Sequence, residues 1–333
     1  MVPGVVERPS PPRSYARRVL VALCGGVGAA RMLSGLVRVV PGDEITAIVN
    51  VGDDMVLHGL SISPDLDTVT YTLAGLDNRE TGWGVAGESW VVMDELARIG
   101  GEDWFRLGDR DLATHLFRTG RLAAGQPLSA VTTALCDRRG IAVHMVPVTD
   151  DPLRTRVTLA ARSALGPAGT EVCFQDYFVR LAHEVPVRGV RFEGADDARP
   201  APGVIDALAR AGMIVVCPSN PVVSIGPLLA VPGVEDALRA RRPDVVAVSP
   251  IVAGTALKGP ADRMLRELGT EPSVVGVARR YASWVGTLVI DEADAALAGD
   301  VEEEGVRCVI APTVMRTPDL AAGLARVVID AGG

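Results

Sequence analysis

The sequence predicts an α/β fold, a Rossmann-like parallel sheet core with an inserted, mostly helical subdomain. Two observations carry this. First, the apolar run Val19–Leu23 ends in the glycines of CGGVG. It is followed by helical spacing of Met32, Leu33, Leu36, Val37 and Val40, then by a second apolar run, Ile45–Val49. Strand, glycine turn, helix, strand is the opening of a doubly wound sheet. Second, the same alternation returns after residue 200. Helical spacing at 202–211, 234–241 and 261–268 is interleaved with apolar runs at 213–217, 245–248, 287–290 and 306–310, and a last helix is expected over 318–329.

Between these halves the spacing predicts helices over 88–98, 111–118 and 128–138, with strand candidates at 141–148, 156–162 and 187–193. The expected organisation is a Pro-, Arg- and Ser-rich loose tail over 1–14, a Rossmann-like core from 15–85 and 185–333, and the helical insertion over 86–184. No internal repeat is visible.

Length and composition suit one large or two ordinary domains with a full core: 333 residues, 48% hydrophobic. With aromatics at only 4%, that core must be built from Ala, Val, Leu and Ile. The formal charge of −8 argues against a nucleic-acid partner, because neutralising a polyanion needs clustered cations. No segment approaches the ~20 apolar residues of a membrane span. Arg17-Arg18 before Val19–Cys24 does not read as a secretory signal, since the apolar stretch is shorter than the ~7–15 residues required. Five scattered cysteines (Cys24, Cys136, Cys173, Cys217, Cys308), with no C-x-x-C spacing, predict reduced thiols and a cytoplasmic protein.

Five stretches carry chemistry. Gly25, Gly26 and Gly28 lie between the first strand and helix, where backbone N–H groups can face a phosphate; a bare tight turn is the alternative. An NAD site is disfavoured, because Arg31 stands where its third glycine belongs and Asn50 where its acidic residue belongs. Asp53 and Asp54 follow the second strand, and Asp65 and Asp67 follow in SISPDLDT. These carboxylates are either turn and capping residues or, beside a phosphate, oxygen ligands for Mg²⁺. Arg110, between Asp109 and Asp111 at a helix start, can offer its planar fork to an anion or ring oxygen, or serve a local ion-pair cluster. Ser219, Asn220 and Ser224 in CPSNPVVSIGP sit at a strand end, suited to reading a base edge or phosphates, or forming a rigid turn. Lys258, the only lysine, lies with Gly259 in a similar loop that can meet a nucleotide. The four histidines are not spaced for zinc, and no hydrolase or Walker motif occurs.

Taken in order, GGVGAARML, IVNVGDD, ISPDLDTVTYTLAGL, GDRDLATH, FQDYFVR, PSNPVVSIGP and VSPIVAG resemble the 2-phospho-lactate (or phosphoenolpyruvate) transferase family of coenzyme F-420 biosynthesis, from about residue 18 to 262. The resemblance implies a homodimer that moves an acid-bearing phosphate from a guanosine diphosphate donor to the ribityl hydroxyl of the deazaflavin Fo, releasing GMP. It implies Mg²⁺ on Asp53, Asp54, Asp65 and Asp67, with Asp67 and Asp54 catalytic. Asp67 and Arg110 would hold the deazaflavin. Gly25, Gly26, Gly28, Ser219, Asn220 and Ser224 would line the guanosine diphosphate site. The Arg-over-Lys bias suits actinobacteria, whose members are associated with enolpyruvate, so that acid is favoured over lactate. The rival readings are a non-catalytic nucleotide-sugar-binding regulator of a related family and an NAD dehydrogenase.

Overall fold

Strands with unbroken apolar sequence can be stable only where both faces are covered, and the central strands are of this kind. The computed structural model describes residues 19–332; the tail expected over 1–14 lies outside the described residues. Strand β1 (Leu20–Cys24) leads through Gly25 into helix α1 (Gly26–Leu36), and β2 (Ile45–Val49) returns beside β1 in parallel register, Leu20 opposite Ile45. All residues of β1 and β2 are buried.

A two-residue hairpin follows, β3 (Met55–Leu57) and β4 (Leu60–Ile62), turning at His58 and Gly59, both with positive φ as a tight primed turn requires. Helix α2 (Pro64–Leu73) starts directly after it, with Pro at its first turn. Helices α3 (Val91–Arg98), α4 (Asp109–Ala123) and α5 (Leu128–Arg138) form the helical part. A small separate core of Leu57, Ile62, Met93 and Leu107 fastens it to the hairpin.

The helical part ends sooner than the expected 86–184. Strand β5 (His144–Pro147) pairs with β2 and is the edge of the main sheet. Strands β6 (Arg154–Leu159), β7 (Glu171–Cys173) and β8 (Val187–Glu193) then form an antiparallel sheet. The physical reason is in β5 itself: its backbone pairs with β2, and Met145 and Val146 are buried, Met145 Sδ lying 3.9 Å from Thr70 Oγ1 of α2.

The second half supplies α6 (Val204–Arg210), β9 (Met213–Val216), α7 (Gly226–Ala230), α8 (Val234–Ala240) and β10 (Val245–Val248). A minimal hairpin, β11 (Ile251–Val252) and β12 (Thr255–Ala256), precedes α9 (Ala261–Glu267) and α10 (Val274–Tyr281). Strand β13 (Thr287–Asp291), α11 (Ala298–Glu303), β14 (Arg307–Ala311) and α12 (Pro318–Ala331) complete the described chain.

The central sheet runs β14-β13-β10-β9-β1-β2-β5, all parallel. The chain winds outward from β1 to β5, then crosses back to β9 and winds the other way. The order reverses between β1 and β9, and ligands of such sheets bind in the crevice beyond the strand ends at that point. No described helix is long and apolar enough to cross a membrane.

Helix α12 packs on α1 so closely that a Cβ on Gly35 would stand 2.3 Å from the Ala321 carbonyl oxygen. Gly35→Val should therefore destabilise the fold by about 1–3 kcal/mol through overpacking, read as a lowered midpoint in urea unfolding.

Candidate functional site

The loops after β1, β2 and β9 meet at the switch point, and glycines allow it. A Cβ on Gly28 would fall 2.0 Å from the Pro218 carbonyl oxygen, and one on Gly25 would fall 2.6 Å from Ser224 Cβ. Ser219 Oγ donates to the Gly25 carbonyl at 2.8 Å, tying the two loops together. Asn220 organises its own loop: its Oδ1 accepts from Val222 N at 2.9 Å and its backbone carbonyl from Ser224 N at 3.0 Å. These positions thus build the crevice wall by close packing, and only Gly26 (φ +68°) turns its N–H toward a charged group, the Asp65 carboxylate.

Asn50 is the hub of the acidic cluster. Its amide donates to Asp53 Oδ1 at 3.2 Å and Asp65 Oδ2 at 2.9 Å, and its Oδ1 accepts from Gly52 N at 2.8 Å. Gln175, from the segment after β7, donates to Asp53 Oδ2 at 3.4 Å. Asp54 Oδ2 accepts from Ser63 Oγ at 2.7 Å, while its Oδ1 is buried without a partner. Burial pushes Asp54 up to about 7, against the opposing pull of Arg154, Ser63 and Arg118. Burial pushes Asp65 up to about 6, moderated by the Asn50 and Gly26 donors. Asp53 is raised well above the carboxylate range by burial and then by the charges of Asp65 and Asp54.

This donor set fits a hard cation. Three buried carboxylates with mutual repulsion and one oxygen lacking any partner are what a divalent ion bound through oxygen would satisfy. Asp67 stands apart from that set. Both its oxygens are held by the buried guanidinium of Arg118 on α4, through Nη1 at 3.1 Å and through Nη2. Arg118 also donates to the Ser61 carbonyl at 3.2 Å and lies 3.2 Å from His115 Nδ1. His115 Nε2 lies 3.1 Å from Asp111 Oδ2, and Tyr71 donates its hydroxyl to Asp111. Asp67, Asp111 and His115 converge closely enough to suggest a second metal position, but the Arg118 guanidinium already occupies the Asp67 oxygens with positive charge.

Arg110 is exposed, its Nη1 donating to the Ala86 carbonyl at 2.6 Å and its backbone N–H to Glu88 at 2.8 Å. It flanks an open groove of about 240 Å³ whose walls include Trp83, Trp90, Arg106 and Asp111. Lys258 donates to the Thr81 carbonyl, and a Cβ on Gly82 would meet both Lys258 Nζ and Val27, so the groove loop lies against the start of α1. Asp111 is common to the groove and to the network on Asp67.

Sequence reasoning missed Arg118, Gln175 and Asn50 as site residues. Arg118 had a readable signal: Asp111, His115 and Arg118 fall on one helix face at i, i+4 and i+7. Gln175 had none, since only the tertiary fold brings it to Asp53.

Fold and site together define a Rossmann-like α/β protein with a carboxylate-lined ligand crevice at its switch point. The chain belongs to the CofD 2-phospho-L-lactate transferase family, whose model matches residues 20–314. With the family comes the class of activity, a transferase of the phosphoenolpyruvate or phospholactate kind. It is 45% identical over 314 residues to a phosphoenolpyruvate transferase of Streptomyces griseus, covering 93% of this chain and 97% of that one. It is 46% identical over 310 residues to that of Streptomyces coelicolor, covering 92% and 96%. Among solved structures it resembles a Bacillus halodurans protein of the UPF0052 family in fold, with a TM-score of 0.60 at 16% identity over 94% of this chain and 99% of that one.

Two outcomes follow from these contacts. Arg118→Met leaves Asp67 buried and unpaired and should cost about 3–5 kcal/mol in urea unfolding, much of it recovered when Asp67→Asn is added. Asp54 and Asp65 hold their protons more tightly folded than unfolded, so their stabilising contribution is full below about 4 and lost as pH rises through about 6 and 7. In chelator-treated protein Tm should fall between pH 5 and 8, and Mg²⁺ should restore it more at pH 8 than at pH 5.

Proposed function

We propose that the protein transfers the enolpyruvyl-bearing phosphate of a guanosine diphosphate donor to the ribityl hydroxyl of the deazaflavin Fo, giving dehydro-coenzyme F-420-0 and GMP, as a cytoplasmic homodimer. The observation that carries this reading is the cluster of Asp53, Asp54 and Asp65 at the switch point, with the unpartnered Asp54 oxygen among them. Once ionised, buried carboxylates against a phosphate crevice need a cation between them, which is the requirement of diphosphate chemistry. Asp53, Asp54 and Asp65 would hold Mg²⁺. When bound, Mg²⁺ supplies positive charge for the diphosphate and for the leaving GMP. The Streptomyces relatives named phosphoenolpyruvate transferases support enolpyruvate as the acid.

The chain's own residues supply the positioning. The loop bearing Ser219, Asn220 and Ser224 borders the guanosine side of the crevice, and Gly26 begins the helix that faces the phosphates. The groove lined by Trp83 and Trp90, with Arg106 over the Trp90 ring and Arg110 beside it, suits a planar ring. Asp67, fixed by Arg118, accepts a hydrogen bond from the attacking ribityl hydroxyl and orients it. The ribityl oxygen bonds to the acid-bearing phosphorus, the bridging P–O bond breaks, and GMP leaves with the electron pair. Because such transition states are loose, the hydroxyl proton passes late, to the Asp67 carboxylate, and alignment supplies most of the rate.

The test is direct. Protein, Mg²⁺ and Fo are mixed with enolpyruvyl- or lactyl-diphosphoguanosine, and mass spectrometry follows the deazaflavin product and GMP. Product is expected with both and faster with the enolpyruvyl donor. No product from folded protein that binds nucleotide would instead favour a ligand-binding regulator. Asp54→Asn should lower turnover about 100-fold or more while Tm holds or rises, since a neutral amide relieves the buried charge.

A further inference from the structure

Beside Asp54 lies a second, smaller pocket of about 110 Å³. Its polar wall includes Asp54, Ser61, Ser63 and Arg154, and its apolar wall includes Met55 and Leu128. The pocket is less than half the size of the tryptophan groove, a scale suited to a small acid rather than to a fused ring system.

Two groups with unused hydrogen-bonding capacity belong to residues that line this space. Asp54, nine-tenths buried, keeps its Oδ1 without a hydrogen-bond partner. Arg154 at the start of β6 is half-buried, and its one side-chain hydrogen bond goes from Nη1 to the carbonyl of its neighbour Leu153 at 2.7 Å. Among the described residues it forms no ion pair, although its charge is felt by both Asp53 and Asp54. The pocket's other carboxylates are engaged elsewhere. Asp150 accepts from Ser129 N at 2.6 Å and Ser129 Oγ at 2.8 Å, and Asp151 accepts from Arg199 N at 2.8 Å. A guanidinium with free N–H groups in a small pocket is complementary to a carboxylate, which it can take through two parallel hydrogen bonds.

We infer that Arg154 binds the carboxylate of the three-carbon acid carried by the donor, and that this pocket is the subsite separating acid-bearing from bare guanosine diphosphate. The inference rests on the donor proposed above. Asp54 joins the two sites: it belongs to the acidic cluster that would face the diphosphate and to the wall of the acid pocket, so an acid esterified to the terminal phosphate reaches Arg154 without leaving the crevice.

The experiment compares two ligands on three proteins. Calorimetry with Mg²⁺ present measures affinity for GDP and for enolpyruvyl-diphosphoguanosine with wild type, Arg154→Met and Arg154→Lys, alongside Tm and turnover. Arg154→Met should weaken the acid-bearing donor by roughly 10- to 100-fold, the scale of one charge-assisted hydrogen-bonding pair, while GDP changes by no more than about 2-fold. Arg154→Lys should recover part of the loss. Equal weakening of GDP and donor would overturn the assignment, placing Arg154 on the diphosphate or behind Asp54, and so would no weakening of either. Wild type that yields no product but binds the donor more tightly than GDP, with the excess lost in Arg154→Met, would sink the proposed reaction and leave the acid subsite standing.

Discussion

Three carboxylates cannot share a dry crevice without help, and the arrangement of the whole site answers that constraint. Asn50 divides its amide between Asp53 and Asp65, Gln175 reaches Asp53, Ser63 reaches Asp54, and the Gly26 N–H reaches Asp65. These donors soften the repulsion without removing it, since all three acids remain raised by burial. A neutral hydrogen bond offsets part of a buried charge; full compensation needs an opposite charge. An oxygen-bound divalent cation of the kind proposed above would supply that charge.

The secondary elements serve this end from several parts of the chain. The β3–β4 hairpin returns the chain so that α2 begins beside the loop after β2, which places Asp65 against Asp53 and sends Asp67 the other way. On α2 the two aspartates are two residues apart and so face different neighbours. Asp65 meets the polar amide of Asn50; Asp67 meets the guanidinium of Arg118. One helical turn thus feeds both the acidic cluster and the ion-paired network that extends through His115 and Asp111 to the tryptophan groove.

Much of this was legible in the sequence. The glycine turn after β1 and the apolar strands point to a parallel sheet covered on both faces, the pattern of a doubly wound fold. Adjacent aspartates at a strand end mark the crevice by the rule that ligands gather there. What could not be read was pairing across long separations. Gln175 lies 122 positions from Asp53, and nothing local distinguishes it from any other polar residue. The end of the helical part was misplaced for a similar reason: 141–148 reads as a strand, but only the register with β2 shows which sheet takes it. The glycines were legible as a turn, but the close packing of Gly28 on Pro218 and of Gly25 on Ser224 depends on a loop nearly two hundred residues away.

The fold by itself does not decide the chemistry. A Bacillus protein sharing this architecture at 16% identity shows that the sheet tolerates wide change of sequence around it. Function resides in groups grafted at the strand ends. Here those groups have a feature the sheet does not require: costly buried charge. An unpartnered Asp54 oxygen and the buried Arg118–Asp67 pair, taken as a whole, are both less stabilising than well-packed apolar residues of the same volume. A scaffold whose only task was to fold would not retain them. Under the proposed function a divalent cation would meet the bare Asp54 oxygen, and the Arg118 pair holds Asp67 in one orientation more firmly than a hydrogen bond to water would.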